Sequence, residues 1–407
     1  MIEAQSEAHM KQGLRRNLKQ FTLLVVVNAF VGAMVGIERT LLPELAETEF
    51  NVASTTAVLA FIVAFGISKA VANYFAGRLA NVYGRKKLLV AGWLLALPVP
   101  VLLIVAPAWG WVIAANVILG LNQGLTWSST VVMKIELVGE KNRGLAMGLN
   151  EFAGYAAVGV TAWLAAYIAS RYGVTPYPFI LGAVVAVVGL LLSVIWVNET
   201  HRFAKHEQQH STVPLLKHVV LDTTFRHRTL SSVTQAGFVN NLNDGMVWGL
   251  LPIVLAALQF SPERIGIVAG VYPAVWGISQ LFTGRMADRF SHKRMLVWGM
   301  LAQALAIAAI PFLSSFQSLV LVSALLGVGT AVVYPTFLTA SANATAPVQR
   351  AESIGTFRLW RDLGYAAGAL VSDFLADVYG LDVAVVSIAA ITFLSALVVA
   401  VRMPAQR

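Results

Sequence analysis

The 407-residue chain contains no cysteine, which excludes disulfides and thiolate metal sites. Charge is also scarce: Asp, Glu, Lys and Arg make up 12% of the residues, against about a quarter in soluble domains. A soluble globular protein is therefore excluded. The seven histidines (His9, His201, His206, His210, His218, His227 and His292) fall mostly in polar stretches or tails, and the i, i+4 pair His206 and His210 reads as part of a solvated segment. There is no nucleotide-binding loop and no cluster with metal-ligand spacing, so neither an enzyme nor a bound metal or cofactor is expected. What the chain does have is apolar length, with 57% hydrophobic residues in long runs. Each run approaches or exceeds the roughly 20 residues that cross a hydrocarbon layer as a helix, and the ten-residue alternation of a β-barrel is missing. The net charge of +9 is spread over short loops between the runs. It reports membrane topology, and a nucleic-acid partner is not expected.

The apolar background carries a faint internal copy. The segment GRLANVYGRKK at Gly77–Lys87 recurs as GRMADRFSHKR at Gly284–Arg294. The same offset of 207 residues (284 − 77) places Gly120 on Gly327, Trp127 on Tyr334, Arg143 on Arg350 and Gly148 on Gly355. Half the chain is thus repeated in parallel. Twelve spans are expected near 20–45, 53–80, 88–106, 111–133, 144–170, 176–197, 231–257, 264–286, 294–313, 317–342, 351–376 and 381–402. The corresponding segments are an N-terminal stretch 1–19, a first six-helix bundle 20–197, a linker 198–230, a second bundle 231–402 and a tail 403–407. Lys11, Arg15, Arg16 and Lys19 precede the first run, which is too long for a signal core and reads as an uncleaved first helix. Lys and Arg concentrate in alternate loops, at 85–87, 141–143, 202–228, 289–294 and 350. By the positive-inside rule both termini are expected to be cytoplasmic, in a multi-pass plasma (inner) membrane protein.

Gly77, Asn81, Gly84, Arg85 and Lys86, echoed by Gly284, Asp288 and Arg289, resemble the signature loop of the major facilitator superfamily between its second and third helices. The resemblance runs the length of the chain. It implies an all-α integral membrane protein with twelve transmembrane helices in two pseudo-symmetric six-helix bundles, one central cavity, and alternating access driven by a proton or ion gradient. Asn81 stands where the family has an acid, so a charged latch is expected only at Asp288. Two further patterns of the family's drug and proton antiporters are incomplete. Gly120 replaces the arginine ahead of Gln123-Gly124, and the fifth span has no proline.

Because a charge at mid-membrane is unfavourable by about 2.5 to 3.5 kcal/mol even on lenient scales, charges inside spans are candidate functional groups. Lys69 lies eight residues before Gly77, about 12 Å of helix from the loop, with Asn73 one turn on. Arg358, Arg361, Asp362 and Tyr365 form one helical stripe, in which Asp362 is expected to pair with Arg358 and leave Arg361 free. A fixed Arg–Asp staple is the structural alternative. Asn240, Asn241, Asn243 and Asp244, followed by Trp248, mark a polar face or a helix break before Gly245. Asp244 is a candidate proton carrier, since a buried carboxyl can alternate between its two forms. Glu38 and Arg39 suggest a partly solvated pair nearer the outer surface. Glu151 falls opposite Arg361 at an offset of 210, or Arg358 at 207, which suggests an acid–base gate between the halves. Gln123 and Trp127 suit a substrate wall, whereas Lys134 is expected to snorkel at the cytoplasmic end.

Lys69, Arg358 and Arg361 favour an anionic or zwitterionic solute. The acids and the tryptophans Trp127, Trp248, Trp276 and Trp360 allow a nearly neutral cavity for amphipathic ones. The functional expectation is a monomeric secondary active transporter that moves a small organic solute, with proton-coupled export by antiport. The alternatives are proton-coupled uptake of an organic anion and a non-transporting receptor on the same fold.

Overall fold

In a computed structural model, which describes residues 12–405, the chain is a bundle of twelve long helices with no strand among the described residues. Lys11, His9 and the last two residues of the tail lie outside the described part. The helices are α1 (Leu18–Phe50), α2 (Ser54–Tyr83), α3 (Arg85–Ile104), α4 (Trp109–Val138), α5 (Arg143–Tyr172) and α6 (Tyr177–Ile195), then α7 (Arg228–Gly249 and Leu251–Ala257), α8 (Pro262–Ala287), α9 (His292–Ala309), α10 (Phe316–Asn343), α11 (Arg350–Tyr379) and α12 (Leu381–Arg402). Two interruptions follow from proline, which cannot donate an N–H to the helix ladder. α3 is broken at Leu97 before Pro98, and α7 at Leu250 before Pro252. Of the two alternatives for the polar run on α7, a break before Gly245 is not found, because the helix runs through that position.

Nine of the twelve helices are long and apolar enough to cross a membrane by composition. The three that fall short are α4, α7 and α11. Their polar side chains point inward, so that Asn116, Gln123, Lys134, Asn240, Asn243, Arg358 and Arg361 are all buried. Large apolar side chains such as Phe282, Trp298, Leu321 and Val401 instead cover the outside. A surface of this kind is matched to lipid.

The repeat sets the seam between the halves. α2 lies along α11 and α5 along α8. At the end of the bundle that carries the linker, Gly77 meets Gly355 and Gly284 meets Gly148. A Cβ added at Gly77 would sit 2.5 Å from Ala351 O, and one at Gly284 would sit 2.6 Å from Gly144 O. Gly77 and Gly284 are repeat mates, as are Gly148 and Gly355, so the two contacts are related by the pseudo-twofold axis. Towards the other end α5 and α8 separate, while α2 stays against α11 as far as Gly66, where an added Cβ would sit 3.4 Å from Tyr365. Beside Gly159 on α5 and Gly270 on α8 an added Cβ would meet nothing within 4 Å.

The linker is docked across the closed end. Arg85, the first residue of α3, is buried in an ion pair with Glu136 at 2.8 Å, and Thr200 donates to the other Glu136 oxygen at 2.6 Å. Arg85 also donates to Ala80 O near the end of α2 at 2.8 Å, so its side chain is spent on a carboxylate and a helix C-terminus within its own half. Glu199 accepts hydrogen bonds from the backbone N–H groups of Lys86, Thr200 and His201. Further along the linker helix His201–His210, the Glu207 carboxylate takes Arg143 of the first half at 2.5 Å and Arg350 of the second at 2.8 Å. The two arginines are repeat mates sharing one acid. Burial opposes ionisation of Glu207, but the hydrogen bonds and charge of Arg350, the charge of Arg143 and a bond from Gln12 outweigh it, holding the carboxyl at about 2.

Candidate functional site: a charged cavity between the halves

Where the two halves diverge they enclose a cavity of about 440 Å³, within the roughly 300 to 1,000 Å³ of small-molecule pockets. Its lining includes Arg39, Lys69, Gln123, Trp127, Asn241, Asp244, Trp248, Arg361 and Asp362, drawn from α1, α2, α4, α7 and α11. α4 delivers Gln123 and Trp127 at i, i+4 and α7 delivers Asn241, Asp244 and Trp248 at i, i+3 and i+7, which keeps each set on one face.

Asp362 is the hub. Arg361 binds its Oδ1 at 2.9 Å, Asn73 donates to Oδ2 at 2.5 Å, Asn241 reaches it at 3.5 Å and Lys69 Nζ lies 3.8 Å away. The Lys69–Asp362 and Asn73–Asp362 contacts cross from one half to the other. The expected pair within α11 differs: Arg361 takes Asp362, while Arg358 turns to Ser128 Oγ and Tyr334 OH, both at 3.2 Å. Arg358 sits one turn closer to the linker, where α4 and α10 supply hydroxyls, and it does not line the cavity. Arg361 also lies over the Tyr334 ring at 4.4 Å.

The proposed acid–base gate between Glu151 and these arginines is not formed, although the linker end is closed. Glu151 instead accepts from Trp127 Nε1 at 3.0 Å and Asn150 Nδ2 at 2.6 Å, within its own half. Trp127 stands between the acid and the cavity. Two other expectations are corrected. Lys134 does not snorkel: it is fully buried and donates to Leu24 O at 3.1 Å, because α4 continues to Val138 and packs on α1 there. Glu38 is neither solvated nor paired with Arg39. It is 2% exposed, and both carboxyl oxygens lack a hydrogen-bond partner.

The polar run on α7 divides by direction. Asn241 and Asp244 face the cavity, with Tyr272 OH donating to Asp244. Asn243 bonds Gln303 and Thr392, tying α7 to α9 and α12, and Asn240 is buried with no partner. Gln123 lines the cavity while donating to Val31 O at 2.8 Å. Trp360 leaves the site altogether, because its indole N–H bonds Thr224 beside the linker.

The gating-loop residues act at the closed end. Asp288 accepts from the N–H groups of Gly144 and Leu145 at 2.6 and 2.9 Å, capping α5 where the helix dipole favours a negative charge. Asn81, its mate, donates to Val348 O at 2.9 Å just before α11. The acid-to-amide difference thus replaces a charged cap with a neutral bond. Gly84, at φ +90°, lets the chain turn from α2 into α3. No ion pair or hydrogen bond to the Arg289 side chain is present among the described interactions.

Sequence reasoning missed the tyrosines Tyr155, Tyr272 and Tyr334 of the aromatic floor and read Arg39 only as half of an ion pair with Glu38. Tyr155 and Trp276 touch across the halves with ring centroids 4.1 Å apart, and Tyr272 and Tyr334 extend the cluster. Tyr155 and Tyr365 are the tyrosines of the twice-occurring GYAA segment, so the repeat did carry a signal for them. Arg39 lies against Trp248, 4.4 Å from its ring centroid, and donates to Tyr365 OH at 2.6 Å.

Two repeated helical halves, a seam of glycines and a charged cavity on the pseudo-twofold axis define a membrane carrier. The sequence model of the Major Facilitator Superfamily matches residues 24–233 and again 233–407, and the chain belongs to that superfamily. Among curated relatives it is 21% identical over 315 residues to the multi-drug resistance efflux pump PmrA homolog of Lactococcus lactis subsp. lactis (strain IL1403), covering 76% of each chain. It is 28% identical over 317 residues to the multidrug resistance protein MdtG of Dickeya zeae (strain Ech586), again covering 76% of each. Its fold is that of the human organic anion transporter MFSD10 (TETRAN), with a TM-score of 0.78 at 15% identity over 94% of this chain and 99% of that one. The proton:xylose symporter XylE superposes with a TM-score of 0.76, also at 15% identity, over 96% and 97%. The protein is a multi-pass membrane transporter of small molecules.

Proposed function

We propose that the chain is a proton-coupled secondary transporter of a small organic solute, working by alternating access, with its termini and linker in the cytoplasm. The observation that carries this reading is the state of the cavity. It is sealed at the linker end by the two glycine contacts and the Glu207 clasp, and it widens towards the other end, with Asp362 of one half held by Lys69 of the other. Moving the seam alternates which side reaches the cavity. With the basic loops cytoplasmic, this state faces outward.

Asp244 is the proton carrier in this reading. Asp362 is occupied by two cations, whereas Asp244 faces the cavity with a tyrosine hydroxyl as its hydrogen-bonding partner and can gain or lose a proton without breaking an ion pair. Export of the solute in exchange for protons agrees with the relatives named as multidrug efflux and resistance proteins. Uptake together with protons is the second reading, favoured by the cavity's three cations against two acids. The two readings differ in the sign of proton movement.

The test is proteoliposomes containing purified protein and an internal pH dye, challenged from outside with organic anions, neutral compounds and cations. Solute-dependent pH change that is lost in Asp244→Asn supports the proposal, and its sign selects between exchange and co-transport. An unchanged pH signal in Asp244→Asn would remove Asp244 from the coupling role.

A further inference from the structure

Five ionisable side chains line the cavity, the cations Arg39, Lys69 and Arg361 and the acids Asp244 and Asp362. Two of the cations, Lys69 and Arg361, share the single negative charge of Asp362. Arg39 has no carboxylate within ion-pair reach among the described residues, and its one hydrogen bond goes to the Tyr365 hydroxyl. A guanidinium carries five N–H donors in a planar fork. Most of Arg39's donors are therefore unspent, beside a cavity walled by Trp127, Tyr155, Trp248 and Trp276.

From this we infer that Arg39 is the specificity-determining residue for an amphipathic organic anion. The carboxylate, or an equivalent oxyanion, seats on the Arg39 fork, and the aromatic or apolar body lies along the tryptophan and tyrosine wall. The inference rests on the cavity being the substrate site and adds the chemical class of the substrate. Three features favour an anion over a cation. The lining carries one more positive charge than negative when every group is ionised. An oxyanion forms paired, charge-assisted bonds with a guanidinium. The Trp248 ring holds Arg39 from the side, which fixes the fork without neutralising it. Lys69 is less available, because it is drawn towards Asp362 and the Phe65 and Trp127 rings. An anion beside Arg39 also offsets the charge gained when Asp244 takes up a proton, so the two bind cooperatively, as the co-transport reading requires.

The test is equilibrium binding by calorimetry on the protein in lipid nanodiscs, with three probes of one shape: naphthylacetate, its neutral amide and naphthylethylammonium. Naphthylacetate is expected to bind at least about tenfold more tightly than the ammonium, the discrimination of a charge-assisted pair. Arg39→Gln removes that preference and leaves amide binding within about twofold, while Arg39→Lys retains part of it. Retained amide binding also shows that the variant is folded. Tyr365→Phe, which frees Arg39 from its internal bond, keeps or strengthens anion binding. A merely structural Arg39 would make Tyr365→Phe resemble Arg39→Gln. The inference is overturned if the ammonium binds as tightly as the anion, if Arg39→Gln weakens amide and anion equally, or if naphthylacetate does not bind. Binding is read without transport, so a cation preference leaves the transporter reading standing, and a failed proton assay leaves this result interpretable.

Discussion

Asp362 is approached by Lys69, Asn73 and Arg361, so its replacement strands the buried Arg361 and the partly buried Lys69. Removing one partner of a buried ion pair is destabilising by about 3 to 5 kcal/mol, because the remaining charge is uncompensated. Asp362→Asn is expected to lower thermal stability accordingly, and Lys69→Met in the same chain should recover part of the loss. Thermal unfolding of both variants in detergent checks this. Glu207 gives a pH dependence. Its folded-state value of about 2 lies below the roughly 4.3 of a free glutamate. The clasp's contribution is therefore fully present above about pH 5 and lost as pH falls towards 2. The stability difference between wild type and Glu207→Gln should be constant from neutral pH down to about pH 5 and vanish below. A difference that grows on acidification contradicts the clasp. The charged stripe on α11 was legible because helical spacing fixes which residues share a face. Their partners were not, since spacing within one helix says nothing about the hydroxyls of Ser128 and Tyr334 or the lysine of α2 that meet it. Lys134 was misplaced for a related reason: nearness to a loop in sequence does not show that α4 keeps four more residues packed against α1.

At the scale of helices, the seam depends on residues without side chains. Gly284 and Gly77 meet backbone atoms, which cannot step aside as a flexible side chain can. Overpacking of this kind is unfavourable by about 1 to 3 kcal/mol. If the clash falls on the closed state alone, transport should slow by about tenfold to a hundredfold. Gly284→Val and Gly77→Val are each expected to give folded, monodisperse protein that transports poorly and exposes the linker end. Normal rates in both would mean that the glycine contacts do not gate. The repeat in the sequence pointed to these positions, since the glycines recur at one offset. It did not show that each glycine of one half meets the non-corresponding glycine of the other, which follows from the pseudo-twofold axis. The polarity of α4, α7 and α11 was likewise legible as a cost that lipid would not tolerate, and the structure resolves it by turning those faces inward.

Across the whole molecule the account requires that closure at one end accompany opening at the other. The absence of native cysteine makes this measurable with introduced labels alone. Tyr83 and Phe290 are exposed repeat mates at the linker end, and Tyr172 and Tyr379 are exposed repeat mates at the opposite end. Spin labels on Tyr83→Cys with Phe290→Cys, and separately on Tyr172→Cys with Tyr379→Cys, report the two ends by pulsed electron paramagnetic resonance. The account predicts that changing pH in the presence of a transported solute lengthens the linker-end distance while shortening the opposite one, and that Asp244→Asn abolishes the response to pH. Distances that stay fixed at both ends, or that lengthen together, would contradict proton-coupled alternation of the two halves around the cavity.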